Sequence, residues 1–294
     1  MALAPRAVIV YRRTELDDLL AAHGTRGQAA FFLRSRGRDI DDVQARHDAV
    51  ERARTRVDAA IPADWRRGLV ERSDLSRFVF GVEDVIVVVG QDGLVANVAK
   101  YLDGQPVLGV NAEPERNPGV LVNHRADEIE EILLRPGALE RGTPCTMVEA
   151  ELDDGQILRA LNEIYIGHPS HQSARYRIEF GAAAERQSSS GVLVGTGTGG
   201  TGWCRSVWLE RGSGLILPLR PDPELCWFVR EAWPSPATGT DLTEGLLAEG
   251  EELGIIAESD LVVFGDGIES DALSVSWGQR IAVRRAPVAM LLVD

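Results

Sequence analysis

The sequence predicts an α/β N-terminal domain with a parallel sheet, residues 1–142, followed by a β-rich C-terminal domain, residues 143–285. The first observation is the apolar run Asp84–Gly90, which stops at a glycine loop and is followed by apolar residues at helical spacing and by a second strand from Pro106. Such a strand, loop, helix and strand form the repeating unit of a parallel sheet. The second observation is that strand-like runs after Thr146 are separated by turns roughly every 8 to 12 residues, which is typical of antiparallel β structure.

Four elements are expected before the buried strand. Ala7–Tyr11 reads as a strand, and Thr14–Ala22 reads as a short helix with Thr14 as its N-cap. Ala29–Leu33 is expected to be the second strand. In Asp39–Ile61 apolar residues recur at helical spacing with charges between them, so this is an amphipathic helix. Residues 64–83 carry no assignment.

The loop after Asp84–Gly90 is a candidate ligand site, because ligands of parallel sheets bind beyond the carboxyl ends of the strands. Gly90 and Gly93 allow backbone to approach a ligand, and Asp92 between them can face a substrate. Asp-Gly is also a common turn and occurs four times in the chain, so a plain turn stays an alternative. The next strand is Pro106–Val110, and Asp127–Leu134 is a short helix.

The runs expected to form strands in the C-terminal half are Thr146–Leu152, Ile157–Ile166, Arg175–Phe180, Gly191–Val194, Leu215–Leu219, Leu225–Arg230, Leu261–Phe264, Ala272–Ser276, Arg280–Arg285 and Val288–Val293.

Composition excludes several classes of protein. With 44% hydrophobic and 26% charged residues among 294, the chain is expected to be a globular cytoplasmic protein, since no apolar run approaches the ~20 residues of a membrane span. The net charge of −14 argues against a nucleic-acid partner. Three widely spaced cysteines support neither a disulfide framework nor a structural zinc site. Lys100 is the only lysine, which excludes a lysine-dependent phosphate loop and a Schiff base elsewhere.

A second glycine-rich stretch, Gly195–Gly202, holds five glycines in eight residues and precedes a candidate helix, Trp203–Leu209. It lacks the Gly-Lys-Ser/Thr ending of a Walker loop, and the next strand-like run does not end in an acid that could hold a ribose. Gly195-x-Gly197-x-x-Gly200 formally matches the Rossmann dinucleotide fingerprint, so a Rossmann-type site stays an alternative that the missing acid disfavours. Two further interpretations remain. Either the loop binds no ligand, or its amides and threonine hydroxyls contact a nucleotide phosphate or ribose.

The order of these motifs resembles that of the NAD kinase family. Gly90-Gln91-Asp92-Gly93, Leu108-Gly109-Val110-Asn111, Leu161-Asn162-Glu163-Ile164 and Gly195–Trp203 follow one another as that family's G-G-D-G, L-G-I-N, L-N-E-V and T-P-T-G-S-T-A-Y motifs do. Leu261–Gly267 comes after them and is part of the same order. The resemblance covers about Val85 to Val293. It implies the two-domain fold, with residues 286–294 returning to the first domain and the active site between the domains.

The family's reaction is transfer of the γ-phosphoryl group of ATP to the adenosine ribose 2′-hydroxyl of NAD. By resemblance Asp92 is the catalytic base, and Asn162 and Glu163 hold ribose hydroxyls. The residues implied to bind nucleotide are Gly90, Gly93, Asn111, Asn162, Glu163, Thr196, Thr198, Gly199, Thr201, Trp203 and Ser206. ATP and Mg²⁺ are implied, the ion held mainly by the nucleotide phosphates rather than by protein ligands, and the protein is expected to be a homodimer or homotetramer.

The chain also departs from the family pattern. Gln91 replaces a glycine of the first loop, Ser190 stands where the family has an acid near the nicotinamide, and Gly197 and Gly200 replace Pro and Ser in the second loop. Two alternatives therefore stand beside an NAD kinase. One is a kinase of the same superfamily that acts on a nucleoside, sugar or lipid hydroxyl, and the other is a non-catalytic nucleotide-binding protein.

Overall fold

The computed structural model describes residues 4–294, except for the side chain of Ser270. The chain divides into two compact units. Unit 1 comprises the residues up to Val98, Gln105–Thr143 and Leu291–Asp294, and unit 2 comprises Ala99–Gly104 and Pro144–Met290.

Unit 1 is built on a parallel sheet whose strands run in the order β2, β1, β3 and β4, with residues 291–292 of β16 alongside β4. Strand β3 is buried along nearly its whole length, as its unbroken apolar sequence predicts. The strands are β1 (Arg6–Tyr11), β2 (Arg66–Glu71), β3 (Asp84–Gly90), β4 (Pro106–Asn111) and the end of β16 (Arg280–Val293).

Unit 1 also contains helices. They are α1 (Glu15–His23), α2 (Arg26–Arg34), α3 (Ile40–Ala60), α4 (Asp92–Ala99) and α5 (Ile129–Leu134). Of these, α3 packs on strands β1 and β3 of the sheet. Apolar residues of α3 and α5, such as Val57 and Ile132, pack with Val87 and Leu108 of the sheet in one core. Thr14 caps α1 as predicted, and its hydroxyl and the Asp17 side chain form a capping box.

The strand predicted at Ala29–Leu33 is wrong, because these residues lie in α2. The Thr25 hydroxyl accepts the N–H of Gln28 at the N-terminus of this helix. Ala29 and Leu33, four residues apart, are buried in a cluster with α1 and α3. That spacing fits one face of a helix. The five-residue segment was too short for the helical spacing of its apolar residues to be recognised in the sequence. In the unassigned span, residues 66–71 form edge strand β2 and residues 72–77 a 3₁₀ helix.

Unit 2 consists of two mainly antiparallel sheets that share one core. One sheet runs in the order β16, β13, β8 and β9, with β5 paired to β16 and β6 paired to β5. The other sheet runs β12, β11, β10, β7, β14 and β15. Ile178 and Ile255 of the first sheet pack in the same cluster as Ile164, Val194 and Trp227 of the second. The remaining elements are β5 (Gly142–Leu152), β6 (Ile157–Ala160), β7 (Glu163–Gly167), β8 (Ala174–Phe180), β9 (Ala183–Ser189), β10 (Gly191–Gly195), α6 (Trp203–Arg211), β11 (Leu225–Arg230), β12 (Glu244–Leu247), β13 (Glu252–Ala257), β14 (Leu261–Gly265) and β15 (Ile268–Val275).

The parallel sheet with helices and the separate β-rich unit confirm the predicted fold class. Two predicted strands of the second half are wrong. Leu215–Leu219 is irregular, because the backbone N–H groups at its two ends bond to side chains and not to a neighbouring strand. Ser213 Oγ accepts the N–H of Leu215, and Asp222 Oδ2 accepts that of Leu219. Ile157–Ile166 is broken into β6 and β7 by a turn at residues 161–162. In the part of the chain that the structure describes, no helix has the length and apolar character needed to cross a membrane.

Candidate functional site

In unit 1 the loop after β3 ends at Asp92, which is the first residue of α4. The Asp92 carboxylate accepts three consecutive backbone N–H groups. Its Oδ1 lies 3.0 Å from the N of Val120, 2.7 Å from that of Leu121 and 3.0 Å from that of Val122, and its Oδ2 lies 3.0 Å from the N of Val120. The carboxylate is therefore held in one orientation by the backbone.

Gly109 is the reason these amides can reach Asp92. A Cβ added to Gly109 would lie 1.9 Å from the carbonyl oxygen of Leu121, so only glycine lets this segment pack onto β4. Two backbone hydrogen bonds fix the register: Asn111 N donates to His124 O, and His124 N donates to Gly109 O, both at 2.9 Å. The glycine of the Leu-Gly-Val-Asn segment thus serves the geometry around Asp92.

Asp92 keeps unused acceptor capacity. Each carboxylate oxygen has two lone pairs, and Oδ2 receives only the Val120 N–H. The residue is half-buried at the N-terminus of α4, where the helix dipole stabilises negative charge. The arrangement leaves Oδ2 as the oxygen that can accept a proton or a hydrogen bond from another molecule.

Gly93 and Asn111, also predicted in unit 1, differ in how far the surrounding protein already occupies them. Gly93 is exposed, and a Cβ added there would meet no atom of another residue within 4 Å, so packing does not require glycine at this position. Asn111 is buried and its amide is used locally: Nδ2 donates to Asn117 O, and Oδ1 accepts the N–H of Glu113. That use favours a role in shaping the loop over direct contact with a ligand.

In unit 2 Asn162 lies in the turn before β7, and Glu163 is the first residue of that strand. Sequence reasoning put both in a strand. The Asn162 side-chain amide forms no hydrogen bond with any residue that the structure describes, and Glu163 makes no ion pair within the same range. Both are half-buried and present polar groups that a ligand could use.

The Asp266 carboxylate binds the backbone N–H groups of this turn. Its Oδ2 accepts the N–H of Leu161 at 2.8 Å, and its Oδ1 accepts those of Asn162 at 2.7 Å and Glu163 at 3.4 Å. Burial raises the pKa of Asp266 to about 6, although the N–H groups and Lys100 favour its charged form. Burial and the neighbouring Asp266 carboxylate raise the pKa of Glu163 to about 7. Both acids therefore keep their protons to a higher pH than an exposed carboxyl group does.

The glycine-rich loop after β10 is buried from Gly195 to Gly200. The glycines of this loop pack closely against other backbone segments of the protein. A Cβ on Gly197 would lie 1.9 Å from Leu219 O, and one on Gly199 would lie 2.1 Å from Asn162 O. The Thr196 hydroxyl donates to Leu161 O at 2.6 Å and accepts the N–H groups of residues 198 and 199. Thr196 therefore organises the loop and has little capacity left for a ligand.

Thr198 differs from Thr196. It is only 5% exposed, yet its hydroxyl has no hydrogen-bond partner among the residues described. Such a group costs free energy when it is buried without a partner. A ligand that offered one polar atom at this point would satisfy it.

Helix α6 follows the loop and starts at Trp203, whose ring stacks on Tyr165 with centroids 5.4 Å apart and an interplanar angle of 17°. The Arg230 guanidinium lies 5.2 Å from the Trp203 ring centroid. Thr201 and Ser206 are exposed, and their hydroxyls donate to the carbonyls of Thr198 and Gly202. The segment from Thr201 to Ser206 therefore presents hydroxyl groups and one aromatic ring just after the glycine-rich loop.

Two parts of this arrangement were missed by sequence reasoning. The amides of residues 120–122 have no side-chain signature, because any residue supplies an N–H. Asp266 belongs to one of the four Asp-Gly pairs and to the segment Leu261–Gly267, but no role was predicted for it, although its place after an apolar strand is the signal that could have singled it out. No cluster of three or more His, Cys, Asp or Glu side chains that could hold a metal ion occurs within residues 4–294 as described.

Comparison with known proteins finds similarity to NAD and NADH kinases. No protein-family model matches the chain. A probable NADH kinase of Oryza sativa subsp. japonica is 28% identical over 224 residues, which cover 66% of this chain and 64% of that protein. An NAD kinase of Rickettsia bellii is 33% identical over 165 residues, which cover 51% of this chain and 59% of that protein. The chain is similar to these NAD and NADH kinases over part of its length. It spans about three fifths of the length of these curated relatives.

Solved structures agree on the fold. The crystal structure of an NAD kinase from Archaeoglobus fulgidus in complex with ATP has a TM-score of 0.53 and 18% identity, and the match covers 98% of this chain and 93% of that one. Yeast NADH kinase complexed with NADH has a TM-score of 0.57 and 13% identity, with 98% and 82% covered. At this identity the likeness establishes the NAD kinase fold.

Proposed function

We propose that this protein transfers the γ-phosphoryl group of ATP to the 2′-hydroxyl of the adenosine ribose of NAD or NADH. The observation that carries the proposal is Asp92, a carboxylate oriented by three backbone N–H groups whose Oδ2 keeps acceptor capacity. The names of the matched relatives, NAD kinase and probable NADH kinase, support the same reaction.

In the proposed reaction Asp92 accepts the proton of the ribose 2′-hydroxyl. The oxygen then bonds to the γ-phosphorus in line with the departing oxygen, the bond to the β-phosphate breaks, and ADP leaves with that electron pair. The backbone at Gly90 and Gly93 faces the phosphates, and the exposed, uncrowded position of Gly93 supports this role. The reaction needs no covalent intermediate, so orientation is the main task of the protein.

Recognition of the dinucleotide is assigned to unit 2. The Asn162 amide and the Glu163 carboxylate offer a paired donor and acceptor for a vicinal diol. The orphaned Thr198 hydroxyl contacts a phosphate or sugar oxygen, and Trp203 offers a ring for a base. Thr201 and Ser206 line the same surface, whereas Thr196 and Gly199 act by shaping the loop.

Mg²⁺ fits this site as an ion that arrives with ATP. It typically keeps several waters and binds phosphates plus one or two carboxylates, so a dedicated cluster of protein ligands is not needed. When bound, the ion neutralises charge on the triphosphate. We further propose that the protein acts in the cytoplasm as a homodimer or homotetramer. This proposal rests on the sequence resemblance, and light scattering after size-exclusion chromatography tests the oligomeric state.

The test is formation of NADP or NADPH by purified protein with ATP, Mg²⁺ and either NAD or NADH. Asp92→Asn is expected to lower kcat by about 100-fold or more, the range of general-base loss, while nucleotide still raises the melting temperature. Asp154→Asn is the matched control, since Asp154 is an exposed Asp-Gly turn residue. A wild type that binds nucleotide but forms neither product would overturn the proposal. That result would favour another acceptor or a non-catalytic binder, which the exposed Gln91 side chain in the first loop also suits.

A further inference from the structure

We propose that Asp266 is a positioning residue for ribose recognition, because it holds the Asn162–Glu163 turn in the shape that binds two ribose hydroxyls. The inference rests on the proposed function. It concerns a residue that touches the turn and not the substrate.

The Asp266 carboxylate binds the turn through its amides. The N–H groups of Leu161, Asn162 and Glu163 all point to it, and the Asp266 N–H donates back to Glu163 O at 3.2 Å. Asp266 is only 9% exposed. Three converging N–H groups around one buried carboxylate fix the backbone of the turn, so they set the direction in which the next side chains leave it.

The backbone of Asp266 explains which residue types can do this. Asp266 has a φ of 54° and Gly267 a φ of 66°, both in the left-handed region, in the tight turn that joins β14 to β15. Two successive positive φ values define a type I′ hairpin turn, for which Asn-Gly and Asp-Gly are the favoured pairs. A side-chain acceptor and tolerance of this conformation are both required, and aspartate provides both.

The carbonyls of the same turn are held from the other side. Thr196 Oγ1 donates to Leu161 O at 2.6 Å, and Thr196 N donates to Asn162 O at 2.9 Å. With its amides bound by Asp266 and its carbonyls by Thr196, the turn has little freedom to move. The Asn162 and Glu163 side chains remain available for a ligand.

Among the charged side chains around the turn are Asp266, Glu163, Lys100 and Asp271. Asp266 and Glu163 repel each other when both are ionised, and Lys100 stabilises the charged form of Asp266. Lys100 Nζ itself lies 2.8 Å from Asp271, whose other neighbour is the Tyr101 hydroxyl. The lysine is thus shared between two acids. An ionised Asp266 is the form that accepts all three amides.

The test compares Asp266→Asn with wild type. Asparagine keeps the type I′ turn but brings an NH₂ group against an amide of the turn, so one hydrogen bond is replaced by opposed donors. Loss of a hydrogen bond to a charged group should raise the KM for NAD about tenfold or more, while kcat and the KM for ATP change less than about threefold. Amide hydrogen exchange of a peptide covering residues 158–165 should become faster, with exchange elsewhere unchanged. Asp154→Asn, at an exposed Asp-Gly turn, should leave all four quantities at wild-type values.

The outcomes separate the two proposals. An active wild type whose KM for NAD and exchange rates are the same in Asp266→Asn overturns the role of Asp266 and leaves the kinase assignment standing. A fall in kcat accompanied by equal rises in the KM values for NAD and ATP would mean that the whole active protein is damaged. That result would also overturn the role of Asp266. If the wild type forms no NADP or NADPH, the kinase proposal fails. The exchange rates then decide whether Asp266 holds the turn.

Discussion

Thr196 and Asn162 are joined through their backbones, since the N–H of Thr196 donates to the Asn162 carbonyl oxygen over 2.9 Å. Gly199 packs against the same carbonyl so closely that a Cβ would lie 2.1 Å from it. The Asn-Glu turn and the glycine-rich loop, two separate motifs in the sequence, are therefore one structural feature. Inside this feature the close contacts are made by the protein's own backbone, and the Thr198 hydroxyl is one of three buried side-chain polar atoms without a partner in the described residues.

Thr198→Val should separate binding from folding. The change keeps the shape of the side chain and removes a hydroxyl that makes no hydrogen bond, so stability should be unchanged or slightly higher. If the hydroxyl contacts the dinucleotide, its loss should weaken NAD binding about tenfold. Isothermal titration with NAD and thermal unfolding without ligand measure the two effects.

The matched control is Thr196→Val in the same loop. Its hydroxyl donates to Leu161 O and accepts two backbone N–H groups, so its removal leaves buried groups unpaired. The free energy of unfolding should fall by about 2 kcal/mol or more. Equal stability losses in both variants would contradict the distinction drawn between the two threonines.

Gly93→Ala tests whether phosphate approaches the first loop. An added Cβ meets no other residue within 4 Å and the position is helical, so alanine should stabilise α4 by up to about 1 kcal/mol. A methyl group at a phosphate-facing position should nevertheless raise the KM for ATP several-fold. Steady-state kinetics at varied ATP and thermal unfolding check both effects.

Gly27→Ala provides the comparison. Gly27 is also the second residue of a helix, α2, and a Cβ there is equally unobstructed. It should give a similar gain in stability with no change in the KM for ATP. A Gly93→Ala protein with wild-type kinetics would remove Gly93 from the phosphate site.

The elements that sequence reasoning predicted are those with a long or strongly periodic apolar pattern. Strand β3 and helix α3 are examples, and the N-cap at Thr14 followed from side-chain chemistry. The strand predictions for two short segments were wrong. Ala29–Leu33 is helical because of its neighbours, and Leu215–Leu219 is irregular because Ser213 and Asp222 bind its amides, facts that no local pattern encodes.

The candidate site divides in the same way. Asp92 and Glu163 could be predicted as candidates because the proposed chemistry belongs to their side chains. The partners that orient them are backbone amides from residues 120–122 and a carboxylate 103 positions further along the chain, at Asp266. Long-range contacts of this kind depend on the folded topology, so sequence spacing cannot reveal them.

Glu163→Gln should stabilise the protein at high pH and weaken it as an enzyme. The folded-state pKa of Glu163 is raised to about 7 from an ordinary 4.5, so its favourable contribution is complete below pH 4.5 and is lost as the pH rises through 7. Glutamine resembles the protonated acid and does not titrate. The variant should match wild type near pH 4.5 and exceed it by up to ~3 kcal/mol at pH 8, as measured by urea unfolding across that range.

The same substitution should raise the KM for NAD at pH 8, because a neutral amide is a weaker acceptor for ribose hydroxyls than a carboxylate. Functional sites commonly hold acids with a raised pKa, and the half-buried Glu163 fits that pattern. Glu149→Gln is the contrasting control: Glu149 is buried but paired with Arg159 and Arg284, so its loss should destabilise the protein at pH 8. A stability difference between Glu163→Gln and wild type that does not grow with pH would show that Glu163 is not titrating in this range. An unchanged KM would remove it from the ribose site.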